Sequence, residues 1–106
     1  MLPAVASAKS AKPNVLVVMT DDMSYDNLKF MPKTTAFFKK NGTSFTKSYV
    51  TYPLCCPART TFLTGQLTHN HGVDSVFAPD NFIGWKSKDN NLAAWLQKGG
   101  YRTGVS

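Results

Sequence analysis

The run Asn14-Val-Leu-Val-Val-Met19 limits what this chain can fold into more than any other feature. Its apolar side chains follow one another without alternation, so a strand built from it has two hydrophobic faces, as in a central parallel strand covered by helices on both sides. The run stops abruptly at Thr20-Asp21-Asp22. Carboxylates at the C-terminal end of such a strand fall where open α/β sheets place ligand groups.

The following segments supply covering elements. Met31-Pro32 opens a helix that continues from Lys33 to Lys40 and stops at Asn41-Gly42, with Phe30, Thr34, Phe37 and Phe38 as its inward stripe. Thr43 to Thr51, rich in Thr, Ser, Phe, Tyr and Val, reads as a strand or extended segment. Pro57 fits the first position of a second helix, Ala58 to Thr64, closed by Gly65. Residues 66–88 carry no clean period and read as a long loop with at most a short turn or strand. Asp89 or Asn90 caps a helix in which Leu92, Trp95 and Leu96 recur at i, i+3 and i+4, and Gly99-Gly100 ends it. Tyr101 to Val105 reads as the entry to a second parallel strand. The alternation predicts an α/β fold. Two or three parallel strands cannot cover both faces of a sheet, so the domain is expected to be incomplete at Ser106.

Composition removes several function classes. At 106 residues the chain supports at most one small domain, and its ordinary Gly and Pro counts with 12% aromatics exclude collagen, coiled coil and disordered tail. The net charge of +6, with no Glu anywhere, invites a polyanionic partner. Yet the basic residues are dispersed, Lys39-Lys40 being the one adjacent pair, so no nucleic-acid partner is expected. No stretch approaches the ~20 apolar residues of a membrane span, and no integral membrane segment is expected. Residues 1–12 form a leader: Ala4-Val5-Ala6 and Ala6-Ser7-Ala8 before a polar Lys-Ser-Ala-Lys spacer fit the cleavage end of a secretory signal peptide, or a short disordered lead-in. Asn41-Gly42-Thr43 matches the N-glycosylation acceptor, a pattern short enough to arise by chance.

Cys55 and Cys56 are sequence neighbours and cannot staple distant segments, which rules out a disulfide framework. Combined with His69 and His71 they match no common metal-ligand spacing. Their surroundings are more specific: Cys55-Cys56-Pro57-Ala58-Arg59-Thr60-Thr61-Phe62-Leu63-Thr64-Gly65. This segment resembles the sulfatase signature, C-x-P-[SA]-R followed by a short helix ending in Thr-Gly. The strand from Pro13-Asn14-Val15 to Asp21-Asp22 and the Gly100-Tyr101-Arg102-Thr103 segment are similar to the same family, so the resemblance covers about residues 12–106. The fold it implies is the N-terminal portion of an alkaline-phosphatase-like sandwich, with a mostly parallel central sheet and flanking helices. Residues 13–106 would be the first part of the catalytic domain.

The resemblance also implies chemistry. Cys55 would be oxidised by a formylglycine-generating maturation enzyme to an aldehyde that hydrates to a geminal diol. One hydroxyl attacks the sulfur of a sulfate monoester, and the second later expels sulfate and restores the aldehyde. Pro57 sets the helix start so that the positive helix end meets the anion, and Arg59, one turn in, holds the diol and a sulfate oxygen through its planar fork. Asp21 and Asp22, with the Cys55-derived group, correspond to metal ligands; hard carboxylates suit Ca²⁺ better than Mg²⁺. Cys56 is expected to be a small buried apolar residue. His69 and His71 receive no catalytic role, only a place in a substrate-pocket wall or a loop, and Asp74 and Asp80 receive none.

The family's further metal ligands and its Lys and His groups have no counterpart in this sequence. The expectation is therefore a secreted, periplasmic or lysosome-like sulfatase acting on a sulfated small molecule or glycan, with the 106 residues inactive in isolation. The doubled cysteine and His69-Asn70-His71-Gly72 lean toward the branch acting on 6-sulfated N-acetylglucosamine. The alternatives are a phosphonate or phosphate monoester hydrolase of the same superfamily and a non-catalytic anion-binding fragment.

Overall fold

The computed structural model describes residues 12–105, so the leader expected over residues 1–12 lies, apart from Lys12, outside the described residues. A 3-10 turn at Tyr25–Phe30 leads into α1, Pro32–Asn41, on which it packs. Next come α2, Cys55–Thr64, the short α3, Thr68–His71, and α4, Leu92–Lys98, with α2 packed against both α3 and α4.

The helices fall close to where the sequence places them. α1 begins at Pro32, whose missing amide hydrogen costs nothing in a first turn. α2 begins at Cys55, two residues earlier than expected from Pro57, because a first turn has no use for the amide that proline lacks. The cap of α4 is Asn91 and not Asp89 or Asn90, its side chain accepting from the Ala94 amide at 3.1 Å. Gly65 and Gly72 end α2 and α3 in the left-handed region, at φ of 67° and 73°. The Gly72 stop creates α3 inside a stretch expected to be loop.

The expected strands do not form. Residues 14–19, 43–51 and 101–105 are extended or bent, and no strand is assigned among the described residues. A strand exists only through hydrogen bonds to a neighbour, and none of these three segments exchanges backbone hydrogen bonds with another. Leu16 and Val18 are consequently 87% and 78% exposed. The stripe on α1 meets the same fate. Thr34, Phe37 and Phe38 line an open apolar cleft opposite Leu16 and Val18, but the two phenylalanines remain more than half exposed, and Phe30 lies outside the cleft. The radius of gyration is 18.7 Å, against about 13 Å for a compact domain of about 100 residues.

Burial concentrates instead on the α2–α3 hairpin. Pro57, Thr60, Thr64, His71 and Val73 are buried, joined by Trp85 from the following loop. The threonine hydroxyls stay satisfied by bonding back along the helix, Thr60 to Cys56 O at 2.9 Å and Thr64 to Thr60 O at 2.7 Å. His71 clips the hairpin shut. Its Nδ1 accepts from the Val73 amide at 3.1 Å, which leaves the proton on Nε2 to donate to Thr61 Oγ1 at 3.0 Å.

Burial first, and the nearby His69 second, lower the His71 pKa from its ordinary 6.5. A lowered folded-state value means that the unfolded chain takes up the proton more readily, so the clip stabilises fully above about pH 6.5 and weakens as the pH falls below it. His71→Ala is expected to lower stability by about 1–3 kcal/mol. It should also flatten the acid side of a thermal-melting profile recorded between pH 5 and 8.

Candidate active site

Two separate segments meet at the N-terminal end of α2. The run of residues 14–19 leads to Asp21 and Asp22, and the turn at Tyr52–Leu54 leads into α2, which carries Cys55 at its first position and Arg59 one turn on. Successive side chains of an extended chain point to opposite sides, so two adjacent carboxylates would normally diverge. Asp22 breaks that alternation with a left-handed backbone at φ 47°, a conformation Asp tolerates better than most residues. Both carboxylates then face one thiol.

The distances are short. Cys55 Sγ lies 3.4 Å from Asp21 Oδ1 and 3.8 Å from Asp22 Oδ1, and Arg59 Nη2 reaches Asp21 Oδ1 at 3.3 Å. One ligand atom from each of Asp21, Asp22 and Cys55 falls within 4.8 Å of the others. All four residues singled out from the sequence are thus brought together. Cys56 is half-buried rather than fully enclosed.

Electrostatics separates this cysteine from an ordinary thiol nucleophile. The hydrogen bond to Asp21, then partial desolvation, then the negative charges of Asp21 and Asp22 raise the Cys55 pKa above its ordinary value. Reactive thiolates are found in electropositive surroundings, whereas two carboxylates face this thiol. Arg59 engages Asp21 through one terminal nitrogen, leaving the rest of its fork for another anion. The first amide returned into the helix is that of Ala58, to Leu54 O at 2.9 Å; Pro57 has none, so the Cys55 and Cys56 amides ahead of it remain for an incoming anion.

The two histidines divide. His71 belongs to the buried clip at the end of α3 and does not line the neighbouring cleft, which corrects its placement in a pocket wall or loop. His69 does line a cleft, together with Thr51, Tyr52, Thr68 and Asp74. Nothing in the sequence announces the Thr61–His71–Val73 clip beyond Gly72, whose position after the histidine marks a helix end.

A carboxylate pair thus faces the N-terminus of the helix that carries the C-x-P-x-R segment. Comparison with known proteins narrows the class. The sulfatase family model matches residues 13–106. The extracellular sulfatase SULF-1 homolog of Drosophila melanogaster is 37% identical over 106 residues, covering 92% of this chain and 9% of the relative. An arylsulfatase of Chlamydomonas reinhardtii is 34% identical over 114 residues, covering 96% of this chain and 18% of the relative. The human N-acetylglucosamine-6-sulfatase is 38% identical over 69 residues, covering 63% of this chain and 12% of the relative. The chain belongs to the sulfatase family. It spans less than a fifth of the length of these relatives, and no solved structure matches it.

The family implies an alkaline-phosphatase-like α/β fold, whereas the described residues are helical, so the sheet belongs to the family and is not formed here.

Proposed function

We propose that this chain carries the nucleophile end of a sulfuric ester hydrolase whose nucleophile is made from Cys55. The observation that carries this reading is the placement of Cys55 at the start of a helix, its sulfur 3.4 Å from Asp21 Oδ1 and 3.8 Å from Asp22 Oδ1 with Arg59 alongside. Formylglycine in place of Cys55 would supply a hydrated aldehyde, with one hydroxyl to take the sulfuryl group and a second to release it as sulfate. Asp21 and Asp22 would hold a divalent cation, and their hard oxygens fit Ca²⁺; it would act as a Lewis acid toward the sulfate.

The chain's own residues do the rest. Asp21 accepts a hydrogen bond from the group at position 55 and fixes Arg59, which offers its remaining donors to a sulfate oxygen. The start of α2 orients its amides toward the same anion. Two carboxylates provide at most about four of the six to eight oxygens Ca²⁺ takes, so these residues alone are expected to bind it weakly and to turn over no ester. Full activity needs the longer protein, matured by a formylglycine-generating enzyme. A secreted, periplasmic or lysosome-like location fits relatives named as extracellular sulfatases; among the described residues no helix is long and apolar enough to cross a membrane.

Peptide mass spectrometry across Leu54 to Arg59, after co-expression with the maturation enzyme, tests the precursor role. Conversion lowers the peptide mass by about 18 Da, the thiol losing H₂S and gaining oxygen. An unmodified Cys55 under those conditions would count against the catalytic reading and favour a non-catalytic anion-binding fragment. Kinetics of the full-length protein on an aryl sulfate and an aryl phosphonate then separate sulfatase from phosphonate or phosphate hydrolase.

A further inference from the structure

The donors that meet at the start of α2 are of two kinds, a pair of carboxylates and one thiol. We propose that in the unmatured chain Asp21, Asp22 and Cys55 form a binding site for a thiophilic divalent cation of the zinc class, which gives way to a hard cation only when the sulfur of Cys55 is lost. The inference rests on the precursor reading solely for that order of events, and binding by the thiol form is tested without turnover.

The distances carry the argument. Zinc holds sulfur at about 2.3 Å and carboxylate oxygen at about 2.0–2.2 Å, so at the tetrahedral angle two such ligands stand about 3.5–3.6 Å apart. Cys55 Sγ lies 3.4 Å from Asp21 Oδ1 and 3.8 Å from Asp22 Oδ1, on either side of that separation. One ligand atom from each of the three residues falls within 4.8 Å of the other two. A cation therefore reaches all three with small side-chain rotations, and water completes a four-coordinate shell. Asp21 and Asp22 are exposed, which gives the ion an entry path from solvent.

Donor chemistry selects the ion. Calcium takes oxygen ligands and gains nothing from a thiol, whereas thiolate selects zinc and softer metals. Binding exchanges the thiol proton for the metal: the S–H bond breaks, its proton goes to solvent, a metal–sulfur bond forms, and nothing is oxidised or reduced. Two carboxylates and a thiolate against a dication and the Arg59 guanidinium leave the cluster without net charge. Arg59, bonded to Asp21 Oδ1 at 3.3 Å, then serves as the outer partner that orients a ligating carboxylate. Conversion of Cys55 puts oxygen where sulfur was, and the preference passes to hard cations.

Full-length protein produced without the maturation enzyme, so that position 55 remains a thiol, tests this. Titration with Cd²⁺ is expected to raise an ultraviolet thiolate-to-metal band that is kept in Cys56→Ser and lost in Cys55→Ser. The Kd for Zn²⁺, read by competition with a chromophoric chelator, should rise at least about tenfold in Asp22→Asn and again at least about tenfold in the matured protein, the lower end of what loss of an outer partner alone costs. Thermal melting in metal-free buffer verifies that each variant folds. A further readout needs no variant: Zn²⁺ is expected to abolish iodoacetamide labelling of Cys55 in the unmatured protein, seen by mass spectrometry of the peptide spanning residues 54–59, while a large excess of Ca²⁺ leaves it labelled. A cadmium band that survives Cys55→Ser, an equal zinc Kd in Asp22→Asn, or labelling that zinc leaves unchanged overturns the proposal. Failure of Cys55 to convert with the maturation enzyme present would remove the precursor reading, and the titrations would still decide the metal site.

Discussion

Serine in place of Cys55 in the full-length protein is expected to reduce steady-state turnover of a sulfate ester by at least about 10⁴-fold, the scale on which loss of a covalent nucleophile is felt. The reason lies in the second half of the reaction. A formylglycine diol has a spare hydroxyl that can lose its proton and push sulfate out, while a serine alkoxyl carries one oxygen only. Once sulfated it has no internal route to release. Any slow first turnover would leave a stable sulfated peptide spanning residues 54–59, visible by mass spectrometry. A Cys55→Ser protein with wild-type turnover would remove Cys55 from the mechanism.

The site was more legible in the sequence than the fold around it, for a physical reason. Cys55, Arg59, Asp21 and Asp22 could be picked out because helix starts, proline positions and strand ends are local properties of a few consecutive residues. The same holds for α1 and α4, bounded by Pro32 and by Gly99. Strands are not local. Val15 to Met19 has the composition of a buried strand, yet pairing depends on a neighbour that periodicity cannot supply, and the run stays exposed. The left-handed turn at Asp22 was equally hidden, because nothing in Asp-Asp announces which of two acids will abandon the extended backbone. His71 shows the opposite error: a histidine beside a glycine in a polar stretch looks solvent-facing, and it is among the most buried polar residues of the hairpin.

Arg59→Lys carries the second large effect, an expected loss of about 10²–10³ in kcat/KM on a sulfate ester. Lysine keeps the charge and loses the geometry. The guanidinium of Arg59 spends one terminal nitrogen on Asp21 at 3.3 Å and has further donors in the same plane for the anion, whereas a single ammonium cannot hold a fixed fork toward both. Stability provides the contrast. The Arg59–Asp21 pair is open to solvent, its side chains 40% and 66% exposed, so it contributes at most about 1 kcal/mol to folding. Thermal melting of the lysine variant should therefore stay near that of the parent protein while activity collapses. A matching loss of both would mean that Arg59 acts by holding the Asp21 segment in place. Loss of activity alone, carried mainly in kcat, would place its donors on the sulfuryl group as charge develops there.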